Sequence, residues 1–527
     1  MGGTQSTDKD RVRAAEVIAS LCLATDLGMG FPIEHGLHAT LATMRLCDAL
    51  NVDRETAAQT YYACLLTYTG CTTDAEVKIR VFGGSMSASM THRQFGSPTQ
   101  MAAGILGAIP SPEDSWPRRA YEVVAGLPKA ATFGRAHFRS MCEVAEKLAQ
   151  QVGMPQSISS QFHLLTERWD GKSLLRRAKA EEVPLPLRIA HVTRDAAYQR
   201  LMGDDDRVVD VIRSRAGHAF DPRIANVFVD NAQEILGPTV PESAWEQVLD
   251  AEPQPHLMLD GEAIDRALAA MGSFSDLASP YLSGHSAGVG QLAEAAAKLC
   301  GFDASDVTAI RRAGHLHDLG RSAVDPRIWA KEGALSADEW EQVRLHPYHT
   351  DRVLIRSPFL APLAAIGRDH HERLDGSGYH RGIGAAMLPP SCRLLAAADA
   401  YQAKIEPRPY RAPHTPEVAS ADLAERARAG TLDSDMVAAV VEAAGHAAPR
   451  IERPAGLTER EAEVIGLLAR GMQTKQIARA LAISVKTADR HIQNAYGKID
   501  VSTRAAATLF AVEHGLVPWG EFPIRRH

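Results

Sequence analysis

The chain has 527 residues, 45% hydrophobic and 23% charged, with a formal net charge of -7 at pH 7. That length exceeds what one core can organise and points to about three domains with an ordinary soluble balance. The negative charge excludes a chain that coats nucleic acid along its whole length, so any DNA-binding surface must be local.

The opening Met1-Gly2-Gly3-Thr4-Gln5-Ser6 fits a myristoylation pattern, but so short a match reads better as a polar start. No run of 18 apolar residues occurs, and no charged-then-apolar leader precedes the first helix. The seven cysteines are scattered and form no CxxC pair, which suits reduced thiols. The expectation is a cytoplasmic protein without a membrane partner. Alanine-rich runs with apolar residues at three-to-four spacing, such as 289–299 and 437–444, predict an all-α fold.

The chain also resembles itself. At an offset of 250, Asp26-Leu27 falls on Asp276-Leu277, His35 on His285 and Asp53 on Asp303. Further on the offset is 205, where Glu167-Arg168-Trp169-Asp170-Gly171 meets Glu372-Arg373-Leu374-Asp375-Gly376. The first copy therefore carries 45 extra residues, within about 77–150. It also lacks most of the chemistry: His317-Asp318 is matched by Thr67-Tyr68, and His370-His371 by Leu165-Thr166. Residues 12–255 read as a degenerate copy acting as scaffold or sensor, and 256–446 as the active one. The proline-rich segment 238–255 marks their joint.

Residues 281–371 hold seven of the 21 histidines. His-Asp and His-His neighbours in apolar helices are costly to bury unless something coordinates them. Adjacent helical side chains diverge by about 100°, so each pair would reach two ions side by side. Imidazoles and carboxylates without thiolates suit two divalent transition metals, Fe or Mn first and Co or Zn next. Such ions, about 3.5–4 Å apart, would activate a bridging hydroxide on a phosphodiester.

The order His285-Ser286, His317-Asp318-Leu319-Gly320-Arg321, His346-Pro347, His370-His371-Glu372-Arg373-Leu374-Asp375-Gly376-Ser377-Gly378-Tyr379, Asp399 and Arg408-Pro409-Tyr410-Arg411 resembles the HD-GYP family of cyclic dinucleotide phosphodiesterases. The resemblance implies His285, His317, Asp318, His346, His370, His371 and Asp399 as metal ligands, with Asp318 bridging. It implies Arg321, where the family usually has lysine, as a catalytic contact to phosphate. Tyr379, Arg408 and Arg411 would bind the rest of the substrate. His380 replaces the signature's proline, and Tyr281 stands one turn before His285 where some members have a third-metal glutamate, so two metals are expected. His315 and His349 are read as packed or solvated.

After the short stretch 445–454, Thr458 and Glu461 form a capping box that opens a helix ended by Gly471. A second helix over 473–481, a tight turn at Ala482-Ile483 and a third helix capped by Ser484 and running to Lys498 make a helix-turn-helix. Lys475, Arg479, Lys486, Arg490 and Lys498 face only Asp489, a local excess of positive charge. Residues 455–517 resemble the LuxR-type DNA-binding domain in Leu-Thr-Glu-Arg-Glu, Lys-Gln-Ile-Ala and Ser-Val-Lys-Thr-Ala. That resemblance implies contacts to double-stranded DNA from Lys475, Lys486, Thr487, Arg490 and His491, and a homodimer paired through 503–514. The whole reads as a transcription regulator with a cyclic dinucleotide phosphodiesterase, cyclic di-GMP first. The alternatives are a nucleotide sensor without turnover, or a nucleotide or alarmone phosphohydrolase.

Overall fold

In a computed structural model, residues 11–72, 93–110, 115–238, 243–446, 454–469, 472–502, 504–513 and 516 are described. The N-terminal Met1–Ser6 motif, most of 445–454 and the helix stop at Gly471 lie outside them. Among the described residues the fold is helical apart from one two-stranded antiparallel ladder and two isolated bridges; in the ladder Arg11–Arg13 pairs with Met258–Asp260, Val12 opposite Leu259.

The chain folds into two compact units. One comprises Met1–Ser283, Leu319–Glu339 and Arg352–Ala361; the other comprises Gly284–Asp318, Trp340–Asp351 and Pro362–His527. In the first unit, a core of Leu46, Ile189, Val192, Val208, Phe220 and Phe228 joins the helices His35–Ala49 and Leu185–Met202 to Asp205–Arg215 and Pro222–Asp230. Within the predicted joint at 238–255, residues 243–255 carry packed structure. They contain the helix Trp245–Asp250, whose Trp245, Val248 and Leu249 are buried, and the Tyr61 hydroxyl donates to the Val248 carbonyl at 2.9 Å. Glu252 binds it further, accepting from the Arg13 guanidinium at 2.9 Å. Burying a tryptophan and satisfying these polar groups outweighs the breaking tendency of the prolines.

The two stretches aligned by the offset of 250 start alike. A helix begins at His35 after Glu34 at φ 74°, and another begins at His285 after Gly284 at φ 80°. Asp53 caps Arg54–Leu66 by accepting from the Thr56 amide, and Asp303 caps Ala304–Leu316 by accepting from the Asp306 amide. Tyr281 is not one helical turn before His285. It sits in the 3-10 turn Pro280–Leu282, and the left-handed Gly284 intervenes before the helix starts.

The C-terminal domain keeps its own core of Leu457, Ile465, Leu468, Ile477, Ala488 and Ile492. Its helices are Glu459–Ala469, Thr474–Ala480, Val485–Lys498 and Arg504–Glu513. The capping box forms as expected: Glu461 accepts from the Thr458 amide at 2.8 Å, and Thr458 Oγ1 accepts from the Glu461 amide at 3.3 Å. Ala482 at φ 53° makes the turn, and Ser484 caps the third helix by accepting from the Thr487 amide at 3.0 Å.

Candidate functional site

The helix ends bring the rare residues together. His317-Asp318 follows Ala304–Leu316 directly, and His370-His371 lies in the turn after Ala361–Gly367. Neither pair is inside a helix, contrary to the sequence expectation. Where the backbone leaves the helix, neighbouring side chains are freed from the 100° divergence and can converge.

Three groups with metal-ligand spacing form among the described residues. They are His285, His317 and Asp399; His317, Asp318 and His370; and His346, His370 and His371. Together these contain the seven expected ligands and no other residue. Asp318 divides them. Its Oδ2 lies 3.3 Å from His285 Nε2 and 3.0 Å from His317 Nε2, whereas its Oδ1 lies 3.1 Å from His346 Nε2 and 3.5 Å from His370 Nε2. Asp399 Oδ1 is 3.2 Å from His285 Nε2, and its Oδ2 is 3.6 Å from His371 Nδ1.

Four rings are held from behind. The Nδ1 atoms of His317, His346 and His370 meet the carbonyl oxygens of Gly314, Val343 and Gly367 at 2.7, 2.6 and 2.6 Å, each three residues earlier. His285 Nδ1 instead meets the Glu406 carboxylate at 2.9 Å. With the proton kept on Nδ1, loss of any proton on Nε2 leaves a lone pair directed inward, the tautomer a metal ligand needs. Thr350 locks the motif, donating to the His317 carbonyl at 2.9 Å. Glu406 was missed in the sequence because a glutamate beside a loop has no distinguishing spacing.

The cluster is buried and demands positive charge. Burial alone would lower the His317 imidazole, but Asp318 and Asp399 outweigh it and raise it to about 9. Burial pushes the Asp399 carboxyl up, yet hydrogen bonds from His285 and His317 hold it well below its usual range. Burial and then His370 push the His371 imidazole well down. Protons bound in this way are what a metal displaces. Two carboxylates and five imidazoles thus fit divalent transition metals, with Asp318 facing both ways.

The substrate-side expectations divide. Tyr379 borders the centre, its ring centroid 4.3 Å from that of His371 and 6.2 Å from that of His346. Arg408 Nη1 donates to Glu406 at 3.1 Å. Arg411 is employed differently: its guanidinium donates to the carbonyls of Ala403, Lys404, Glu406 and Ala412, covering the open end of the helix Pro390–Ile405. Those bonds leave little of its fork for a substrate. Arg321 is buried in the first unit, its guanidinium 5.3 Å from the Trp329 ring centroid. His315 packs against Gly290 and joins none of the three groups, and neither does His349.

At the offset of 205, Asp399 falls on Arg194, a substitution overlooked in the sequence because a lone arginine carries no motif. Arg194 is 1% exposed and stacks 3.9 Å from the centroid of the Tyr68 ring, the residue aligned with Asp318. Burial and then the charge of Arg194 lower His35 to about 3. The first unit thus carries a fixed cation at the position aligned with Asp399.

On the C-terminal domain, Lys475, Arg479, Lys486 and Arg490 are exposed, and no ion pair among the described residues engages them. His491 is half-buried beside them. Thr487 is also half-buried, its hydroxyl 2.7 Å from Ser484 Oγ in the cap. Lys498 departs from the expected basic face: its Nζ donates to Glu461 at 2.7 Å and to the Gly456 carbonyl at 2.9 Å. The nearly buried Glu461 needs a cation more than the surface does.

Residues 274–436 match the HD domain family, and residues 455–511 match the bacterial regulatory proteins of the luxR family. The 3'3'-cGAMP-specific phosphodiesterase 3 of Vibrio cholerae is 26% identical over 404 residues, 76% of this chain and 87% of that protein. A cyclic di-GMP phosphodiesterase of Thermotoga maritima is 39% identical over 131 residues, 24% of this chain and 36% of that protein. The chain therefore spans about a third of the latter's length. The crystal structure of a cyclic GMP-AMP specific phosphodiesterase from Vibrio cholerae aligns with a TM-score of 0.57 at 24% identity, covering 82% of this chain and 98% of that one, a likeness of fold.

Fold and site thus agree on an HD domain over residues 274–436, with a buried histidine-aspartate cluster suited to metal. More particularly, an HD domain whose relatives are named cyclic dinucleotide phosphodiesterases is followed by a match to the luxR family of regulatory proteins. No helix among the described residues is long and apolar enough to cross a membrane.

Proposed function

We propose that the chain is a cytoplasmic transcription regulator that hydrolyses a cyclic dinucleotide at a binuclear centre and reads DNA as a homodimer. The observation that carries this reading is the two-sided environment of Asp318, whose oxygens each face a different pair of imidazoles. His285, His317 and Asp399 would hold one ion, His346, His370 and His371 the other, and Asp318 both; Fe and Mn suit this donor set first. When bound, such ions polarise the phosphoryl group and make water acidic enough to attack it.

The remaining work falls to side chains. Asp318 holds the two halves of the centre at fixed separation. Arg408, beside the centre through Glu406, offers a guanidinium for a phosphate oxygen. Tyr379 presents an aromatic wall against which a base can lie. The names of the relatives support cyclic di-GMP and 3'3'-cGAMP as the first substrates to test.

Residues 12–255 are read as a degenerate copy with a scaffold or sensing role, 256–446 as the catalytic domain and 455–517 as the DNA reader. Lys475, Lys486 and Arg490 would contact the duplex, with Thr487 and His491 at the edge of that face, and the helix Arg504–Glu513 would pair two subunits. The test is turnover by metal-replete protein, with Mn and Fe under reducing conditions, of a panel of cyclic dinucleotides, nucleotides and alarmones with product identification. Linear dinucleotide products support the reading. Binding without turnover makes the domain a sensor, and faster cleavage of another phosphate ester reassigns the substrate.

A further inference from the structure

Three of the four inward-facing imidazoles held through Nδ1 are fixed by the backbone, and His285 is the exception. As the first residue of its helix, it has its Nδ1 against a side chain from another element, Glu406 Oε2 at 2.9 Å. The same oxygen accepts from Arg408 Nη1 at 3.1 Å. The other oxygen of Glu406 accepts from Gln402 Nε2 at 2.8 Å. Gln402 has room because Gly288, one turn after His285, has no side chain; a Cβ there would meet Gln402 Nε2 at 2.5 Å. Glu406 is also the residue that ends the Asp399-bearing helix Pro390–Ile405, its side chain only 13% exposed. The loop beyond is closed by reciprocal backbone bonds between Arg408 and Arg411 at 2.9 and 3.1 Å.

We infer that Glu406 is a positioning residue that couples metal binding at His285 to phosphate binding at Arg408. This rests on the binuclear reading above. A cation drawn to Nε2 makes the Nδ1–H a stronger donor, which tightens its charge-assisted bond to Glu406. A carboxylate so anchored holds the Arg408 guanidinium in one orientation, so substrate meets a cation already in place. By linkage, substrate on Arg408 must in turn favour the metal.

The experiment compares Glu406→Gln, Glu406→Asp and Arg408→Ala with the full-length wild type. Mn(II) affinity is measured by titration without substrate, and KM and kcat are measured at saturating Mn(II). Glu406→Gln should weaken Mn(II) binding about 10–100-fold. It should also raise KM with a smaller change in kcat, and Glu406→Asp should recover part of both. Arg408→Ala should raise KM but leave Mn(II) affinity within about twofold. Mn(II) affinity in Glu406→Gln within twofold of wild type overturns the inference, as does an unchanged KM. If Glu406→Gln fails to fold, Gln402→Ala tests the same brace from its other oxygen, with a few-fold loss of Mn(II) affinity expected and no loss overturning it. Should the wild type turn over no substrate in the panel, the function reading fails, while the Mn(II) titration still decides the role of Glu406.

Discussion

The surroundings of His35 and of His285 begin from the same local geometry and reach opposite electrostatics. Each histidine opens a helix after a left-handed residue. Around His285, two buried carboxylates face a ring of imidazoles and call for added positive charge. Around His35, the positive charge is built in: Arg194 lies buried over Tyr68, and Asp26 is raised to about 7 by burial despite the Gly36 amide and Arg194. A guanidinium cannot give up its proton, so it satisfies an anion permanently, whereas a histidine-carboxylate cluster can exchange protons for metal. On the proposed reading of residues 12–255 as an eroded copy, exchange of a few buried charges would separate a metal-dependent centre from a metal-free one.

That contrast can be broken most sharply at its active side. Asp318→Ala should lower the transition-metal content of anaerobically prepared protein from about two per chain to less than one, and His317→Ala and Asp399→Ala should abolish hydrolysis. Elemental analysis and the turnover assay decide this. Four metals per chain, or metal retained by Asp318→Ala at wild-type level, would remove the contrast altogether.

On the other side, Arg194→Ala should destabilise the fold by on the order of 3 kcal/mol, since it strips a buried region of its cation. Metal content should not change. Thermal unfolding together with elemental analysis checks both, and loss of metal without loss of stability would place Arg194 in the metal site instead. Tyr68→Ala should leave hydrolysis nearly unchanged in whatever fraction folds.

Smaller effects belong to the DNA reader. Lys486→Ala and Arg490→Ala should weaken operator binding by about 1–3 kcal/mol where a base edge is read, or lower the salt slope by about one unit per lost phosphate contact. Lys498→Ala should leave the salt slope alone and instead lower stability by about 1 kcal/mol, because its partner is Glu461. Fluorescence anisotropy across a salt series separates the two. The smallest effect concerns coupling. About ten residues, 445–454, join catalytic domain and reader, a span of at most ~35 Å. A non-hydrolysable cyclic dinucleotide should change operator affinity several-fold, and operator should change nucleotide affinity by the same factor. Equal operator affinity at saturating nucleotide would show the domains to be merely tethered.

The histidine-rich stretch 281–371, with its His-Asp and His-His pairs, was legible because such residues in apolar surroundings have few inexpensive explanations, whereas the full set of seven, Asp399 included, came from the family resemblance. Thr458, Glu461 and Ser484 were legible because capping is local chemistry. What escaped depends on partners distant in sequence. Lys498 was counted as a free cation, yet Glu461 holds it from 37 residues away. Arg411 reads as a phosphate ligand beside Arg408, but carbonyls left open at a helix end take its donors. Trp245 turned a proline-rich joint into packed structure, and nothing in the local pattern announces that a tryptophan will be covered.

The anchoring of the imidazoles has a consequence for how such a centre can evolve. Gly314, Val343 and Gly367 hold their histidines through main-chain oxygens, which every amino acid supplies. Point mutation at those anchors can disturb packing but cannot delete the acceptor. Glu406 is different, since a single base change can remove its carboxylate and leave the other three rings in place. Among these four anchors, drift that tunes metal affinity is therefore open at Glu406, while the other three acceptors are supplied by the backbone itself.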